Sequence, residues 1–278
     1  MDSLEGYTCD DHLVEPFLKE LGWEIQTLSW RKKHPWHEYD KVIVRSTWDY
    51  QESPAIFLQI LKTIEQTGTT LYNSSSLIQW NLQKWYLREL AQKAIPIVPT
   101  LWIDNWQERN FFDELHTHTL VFKPLVSASA HDTFLVHQRD FPQTFSQLEH
   151  AFKEREFLVQ PFRQAIQSEG EYSLFFFGER YSHCILKRPK KQDFRVQEEH
   201  GGKIVAIPST KELLSLSKEV LHVLPEIPLY ARLDYVRNPE GSFEVMEVEL
   251  IEPSMYLRFD ELAPKKFAEA IADCPDFS

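Results

Sequence analysis

Cysteine is scarce in this 278-residue chain, and Cys9, Cys184 and Cys274 lie far apart. Their odd number and wide spacing exclude a disulfide framework and a cysteine-based metal site, and predict a reducing, cytoplasmic setting. No apolar run reaches the ~18–20 residues of a membrane span, and the N-terminus shows no signal-peptide pattern, so no membrane association is expected. Positive charge is in deficit: 30 Lys and Arg stand against 42 Asp and Glu, a net charge of −12. That excludes a general nucleic-acid binder, which needs a basic footprint, but not a local basic pocket. No G-x-S-x-G elbow supports a nucleophilic triad. His37, His131 and His183 have no metal-ligand spacing, and there is no internal repeat.

What is present supports real cores: 42% of residues are hydrophobic and 13% aromatic. Apolar spacing predicts a helix after Asp10-Asp11 that ends at Gly22, a strand over 23–28, a buried strand over 41–45, a helix over 53–67 and a strand over 69–72. Residues 1–75 thus form a small α/β layer with parallel strands, in which no strand precedes the first helix. At the carboxyl end of strand 41–45, where open α/β sheets bind ligands, stands Arg45-Ser-Thr-Trp-Asp-Tyr50. Arg45, Trp48, Asp49 and Tyr50, joined later by Ser254, read as walls of a small-molecule site. Arg45 suits an anionic group and Asp49 an ammonium, so an amino acid or short peptide is expected.

A helix over 76–93 carries Asn81 and Lys84, and an extended link follows it. Lys123 ends the apolar strand 120–124 just before Pro124. The loop 126–133 is rich in hydroxyls but has no glycine to let its backbone close on an anion. Strand 156–162 ends at Gln160-Pro161-Phe162, and the proline removes a ladder donor, which leaves carbonyls and amides free to read a ligand edge; a plain edge strand is the alternative. A hairpin turns at Gly178-Glu179, and its second strand ends at Lys187. The polar stretch 193–202 reads as a mobile loop. Helices over 210–222 and 264–272 complete the chain.

The densest chemistry lies in residues 230–254. Two strands flank the turn Asn238-Pro-Glu-Gly241. Arg232 and Asp234 share a face, as do Glu247 and Glu249. A three-residue loop puts Asp234 opposite Glu247; a shorter one makes them diagonal neighbours. Either way three carboxylates and one guanidinium converge. Like charges across a strand pair repel, and Mg²⁺, which takes carboxylate and phosphate oxygens, would resolve the repulsion. The plainer alternative is a solvated acidic face.

In chain order, Asn81 and Lys84, Val121-Phe-Lys-Pro124, Phe157-Leu-Val-Gln-Pro161, Gly170-Glu171, Lys187, Arg195, Arg232-Leu-Asp234 and Glu247-Val-Glu249 resemble the ATP-grasp superfamily. The phrases Arg45–Tyr50, Asp193-Phe-Arg-Val-Gln197 and Glu249-Leu-Ile-Glu-Pro-Ser254 look like the branch near bacterial glutathione synthetases that holds the D-cycloserine-forming ligase. The resemblance implies an α/β (α+β) ATP-grasp fold with a parallel preATP-grasp domain over 1–75. An ATP-grasp domain over 76–278 would include a small lid at about 98–160, its two antiparallel sheets enclosing ATP. It implies ATP and Mg²⁺ (or Mn²⁺) as cofactors. Lys84, Lys123, Gln160, Pro161, Phe162, Glu171 and Lys187 would hold the nucleotide, and Asp234, Glu247 and Glu249 the metal. Arg232, Arg195 and Lys187 would be catalytic. The implied activity makes an acylphosphate from a small-molecule carboxylate and joins it to an amine or similar nucleophile, ADP-forming. A small-molecule kinase and a non-catalytic nucleotide-binding regulator are the alternatives, and a homodimer is compatible. Glu249 stands where the family often has Asn. The glycine-poor loop and the missing first strand are further departures.

Overall fold

The computed structural model describes residues 1–106, 109–127, 132–191 and 193–275. Strands β1 (Lys41–Ile43) and β2 (Thr70–Tyr72) pair in parallel, with Lys41 beside Thr70. The helix Pro54–Gln66 joins them. It buries Phe57, Leu61 and Ile64 in a cluster with Val44, Leu71, Trp30 and Tyr50. The periodicity predicts this helix because one stripe of it is apolar.

The middle sheet occupies the stretch read as a lid. It comprises β3 (Leu101–Ile103), β4 (Thr119–Pro124), β5 (Phe134–His137) and β6 (Phe157–Pro161), in the order β3-β6-β4-β5. All its pairs are antiparallel. Its core is largely aromatic: Phe111, Phe112, Phe122, Phe152 and Phe157 are buried together.

The large sheet comprises β7 (Glu171–Phe177), β8 (Arg180–Arg188), β9 (Lys203–Ala206), β10 (Tyr230–Arg237) and β11 (Phe243–Glu249), in the order β11-β10-β7-β8-β9. Both of its faces are covered over much of their area. Leu174 and Phe176 join one cluster with the helix Lys211–Val223. Phe175 and Phe177 join another with the closing helix Ala263–Asp273. This explains the unbroken apolar run in β7, which a half-exposed strand would not carry.

Several local expectations are corrected. Residues 23–28 form no strand. Their alternation is real, since Trp23 and Ile25 pack on the cluster beneath the closing helix, but no strand pairs with them. The first helix is a 3₁₀ turn, Asp11–Leu13, followed by Glu15–Glu20, and the Asp10 side chain does not cap the turn. Instead Asp10 binds Arg258 at 2.8 Å and Asp11 binds Arg45 at 3.0 Å. The helix expected over 76–93 is two, Ser75–Asn81 and Tyr86–Gln92. Strand β9 occupies a stretch for which no strand was expected. Part of the loop 126–133, with His131, lies outside the described residues.

Candidate active site

The register of β10 and β11 sets the centre of the site. Arg232 lies opposite Glu249, and Asp234 opposite Glu247. Between them Leu233 and Val248 point to the core. Period-two alternation therefore turns all four charged side chains into one cleft. One oxygen each from Asp234, Glu247 and Glu249 lies within 4.8 Å of the others. Three hard oxygen donors this close suit Mg²⁺ or Mn²⁺.

Neighbouring strands supply the counter-charges. Lys187 on β8 contacts Glu171 on β7 and lies 3.3 Å from Asp234. Ser173, beside Asp234 in the register, donates its hydroxyl to that carboxylate. Arg232 grips Asp234 through Nε and Nη2 at 3.0–3.2 Å and also meets Glu249. Burial opposes ionisation of Asp234, but Arg232 and Lys187 outweigh it and hold its carboxyl below the usual range. Burial also opposes the charge on Lys187, and Asp234 with Glu171 more than restores it. For Glu249 burial prevails. With repulsion from Glu247 and Asp234 it outweighs Arg232 and lifts the carboxyl to about 7.

The split helix delivers Lys84. At the break its amide donates to the Leu125 carbonyl at 3.0 Å rather than continuing the helical ladder. Its ammonium reaches Glu247 at 2.5 Å. Asn81 splints the outer edge of β11: Nδ2 donates to the Val248 carbonyl at 2.8 Å, and Oδ1 accepts from the Leu250 amide at 2.9 Å. The Tyr86 hydroxyl accepts from the Val248 amide at 3.2 Å. The metal-facing strand is thus held as a ladder would hold it.

Lys123 enters from β4 and makes no hydrogen bond or ion pair with the described residues. Burial, reinforced by nearby Lys84, depresses its pKa. An ammonium placed so is a receptor for an anion brought from outside. Gln160 lies on the same sheet, its amide held by Thr100 at 3.0 Å. The expectation of free amides at Gln160-Pro161-Phe162 needs correction, because β6 is an interior strand and the Phe162 amide already donates to Thr119 at 2.9 Å. Only the β3 side is uncovered past Val159, where that pairing ends.

Gly170 is required where it stands. Its φ is +127°, and a Cβ would lie 2.7 Å from the Lys187 carbonyl. The bend starts β7 with Glu171 turned into the cleft.

These residues line one cleft between the two antiparallel sheets. It brings together Lys84, Lys123, Gln160, Phe162, Glu171, Lys187, Arg195, Arg232 and the three carboxylates, with Trp48, Tyr50 and Ser254 at its wall. Arg195 is half-exposed and paired with Asp193 at 2.9 Å.

Arg45 and Asp49 do not line it. Arg45 donates to Asp11 at 3.0 and 3.1 Å and to the Pro253 carbonyl at 2.7 Å, and lies over the Tyr230 ring. It borders a separate, much smaller hollow. Asp49 accepts from the Trp30 indole at 2.8 Å and from Arg31 at 2.5 Å. Both were read as substrate contacts because they are charged and beyond a strand end; distant partners in the chain claim them instead. Sequence reasoning did not single out Glu252 as a site residue. It is buried at the cleft wall, and burial, with repulsion from Glu249, pushes its carboxyl well above the usual range.

Residues 1–73 match a family model described as the N-terminal domain of D-cycloserine synthetase DcsG. The cycloserine biosynthesis protein DcsG of Streptomyces lavendulae is 28% identical over 272 residues, covering 90% of this chain and 86% of that one. The crystal structure of D-cycloserine synthetase DcsG matches with a TM-score of 0.84 at 25% identity, over 95% of this chain and 94% of that one. D-alanine–D-alanine ligase from Bacillus anthracis shares the fold, with a TM-score of 0.69 at 18% identity over 95% and 91% of the two chains. So does the ATP-grasp ligase PsnB with its minimal precursor, with a TM-score of 0.65 at 15% identity over 94% and 93%.

Proposed function

We propose, from the premise that this chain is an ATP-grasp ligase related to D-cycloserine synthetase, that its cleft couples ATP consumption to joining a small-molecule carboxylate with an amine. The observation that carries this reading is the juxtaposition of Asp234, Glu247 and Glu249 with four cationic side chains, Lys84, Lys123, Lys187 and Arg232.

The residues fit the group they would hold. Asp234, Glu247 and Glu249 offer a divalent cation its oxygens, and Lys123 offers phosphate an uncommitted buried charge. Bound nucleotide and cation supply a transferable phosphoryl group, which turns an unreactive carboxylate oxygen into a leaving group, so that an amine can displace phosphate and lose a proton. The chain's own work is positional and electrostatic. Lys84, from the break between two helices, and Lys123, from β4, line the same cleft and would hold negative charge there together. Arg232, anchored by Asp234 and Glu249, keeps a fixed guanidinium where charge develops on the reacting carboxylate. Lys187 is held charged by Glu171 and Asp234, so it serves as a cation and not as a base. Gln160 and Phe162 bound the far end, where a planar base has space beside β6. Arg195 stands at the cleft mouth, where exchanging Asp193 for substrate phosphate costs little because both are solvated.

Among the described residues no helix is long and apolar enough to cross a membrane. The three thiols are free, which suits a cytoplasmic reaction.

The test is calorimetric titration with a non-hydrolysable ATP analogue, with and without Mg²⁺, on wild type and on Glu247→Gln. Magnesium-dependent binding that weakens at least about 100-fold in the variant, about 2.7 kcal/mol, supports the assignment. Equal binding by both proteins would remove the metal from the hairpin. No binding by wild type would overturn the ligase reading.

A further inference from the structure

Resting on that reading, we propose that Glu252 receives the ammonium group of an amino-acid substrate, in a subsite bounded by Trp48 and Tyr50. Glu252 is 7% exposed and lines the cleft. Its carboxylate makes no hydrogen bond or ion pair with the described residues, although its backbone carbonyl accepts the Trp48 indole N–H at 2.8 Å.

The other acidic side chains named in the cleft are matched. Glu171 has Lys187, Glu247 has Lys84, and Asp234 and Glu249 share Arg232. The metal cluster does not account for Glu252, which is not among the three residues whose oxygens converge. Arg232 and Arg45 favour its charge, but neither forms an ion pair with it. Arg232 is committed to two carboxylates and the Ser254 carbonyl, and Arg45 to Asp11 and the Pro253 carbonyl. The buried Arg45 Nη1 has no hydrogen-bond partner among the described residues. A carboxylate largely withdrawn from water and without a partner is unfavourable, and a ligand cation would offset that.

The surroundings select the kind of cation. Trp48 and Tyr50 line the cleft with Glu252, and aromatic side chains beside a carboxylate favour an ammonium. Trp48 is also fixed, through its indole bond and its contact with Tyr7 at 5.2 Å between ring centroids. Glu252 follows Glu249 by three residues, at a bend in the chain that keeps it on the wall of the same cleft. An amino acid lying there would place its ammonium on Glu252 and its carboxylate toward Arg232. The role expected of Asp49 passes to Glu252.

The experiment measures ADP release with Mg²⁺-ATP, using as probes the common amino acids of both hands and their N-acetyl derivatives. Wild type, Glu252→Gln and Glu252→Asp are compared, with nucleotide-analogue titration and thermal melting on each. Expected is ADP release by at least one free amino acid, a loss of tenfold or more on N-acetylation, and a KM raised at least tenfold in Glu252→Gln but partly restored in Glu252→Asp. Nucleotide affinity should stay the same in all three proteins. Equal use of N-acetylated probes, or an unchanged KM in Glu252→Gln, would overturn the proposal. So would silence of every free amino acid while wild type binds the nucleotide, and that result leaves the ligase reading standing. Absence of nucleotide binding in wild type fells both.

Discussion

Arg45 and Lys123 are both cations at or just past the end of a short apolar strand, and both are largely withdrawn from solvent. Their surroundings differ completely. Arg45 spends its guanidinium on Asp11, the Pro253 carbonyl and the Tyr230 ring. The Lys123 ammonium has no hydrogen-bond or ion-pair partner among the described residues, and burial, helped by Lys84, outweighs the attraction of Glu247. The first arrangement ties the N-terminal segment to the large sheet. The second is unfavourable until something negative arrives. A buried charge that the fold satisfies belongs to the architecture, and one that it leaves unsatisfied belongs to the site.

The largest effect should come from replacing the unsatisfied cation. Lys123→Met should weaken nucleotide-analogue binding about 100-fold, about 2.7 kcal/mol. Its melting temperature should hold or rise, because an unpaired buried charge is exchanged for an apolar chain of similar length. Titration calorimetry and thermal melting on the same sample check both halves. A fall in melting temperature with unchanged binding would make Lys123 a second Arg45.

Arg45→Met should do the reverse. It strands Asp11 beside Ser46 and removes the link to Pro253. Breaking a buried pair is strongly destabilising; because Asp11 keeps some contact with water, a loss of about 2–3 kcal/mol is expected, below the range for fully enclosed pairs. Denaturant unfolding gives that number. Nucleotide affinity should change less than about threefold, under 0.7 kcal/mol. A stable variant with impaired nucleotide binding would return Arg45 to the site.

The same contrast explains what could be read from the amino acids alone. The converging carboxylates of β10 and β11 were legible because a turn signal and a two-residue period are local facts. Asp234 does face Glu247, but the pairing next to the turn would set it opposite Met246, and a bulge between Asp234 and Tyr235, which has no local mark in the sequence, completes the register. Gly170-Glu171 and Lys187 were legible for the same reason, as the two ends of one hairpin. The order of motifs carried the rest of the fold. What was not legible depended on partners remote in the chain. Nothing near Asp49 announces that Arg31 and Trp30 will claim it. Nothing near Asn81 announces that its amide will pair with the edge of β11. In Glu249-Leu-Ile-Glu-Pro-Ser254, Glu252 reads as one more acid after Glu249. Its signal is a missing counter-charge, and that is visible only in three dimensions. The break at Lys84 was hidden because its flanks both have helical periodicity, while the tertiary bonds that interrupt them carry no local mark.

A third buried titratable group sharpens the rule from the other side. His183 on β8 lies away from the cleft, stacked on Phe175 with ring centroids 4.2 Å apart. Nε2 donates to the Met255 carbonyl at 3.1 Å, and Nδ1 accepts from the Ser182 hydroxyl at 2.9 Å. The fold therefore satisfies a neutral ring and has no place for a second ring proton. Burial pushes the pKa down from 6.5 to about 4. The unfolded chain binds this proton more readily, so its contribution to stability is fully present above pH 6.5 and is lost as pH falls toward 4. At pH 5 the loss should be on the order of 2 kcal/mol. His183→Gln keeps a donor for the Met255 carbonyl but cannot titrate. Its unfolding free energy should fall less steeply between pH 7 and 5 than that of wild type, while the pH dependence of nucleotide binding stays the same. An unchanged stability slope would mean that another group carries the acid sensitivity. A changed binding profile would mean that the cleft and the back of the large sheet titrate together, and that a group satisfied by the fold can still belong to the site.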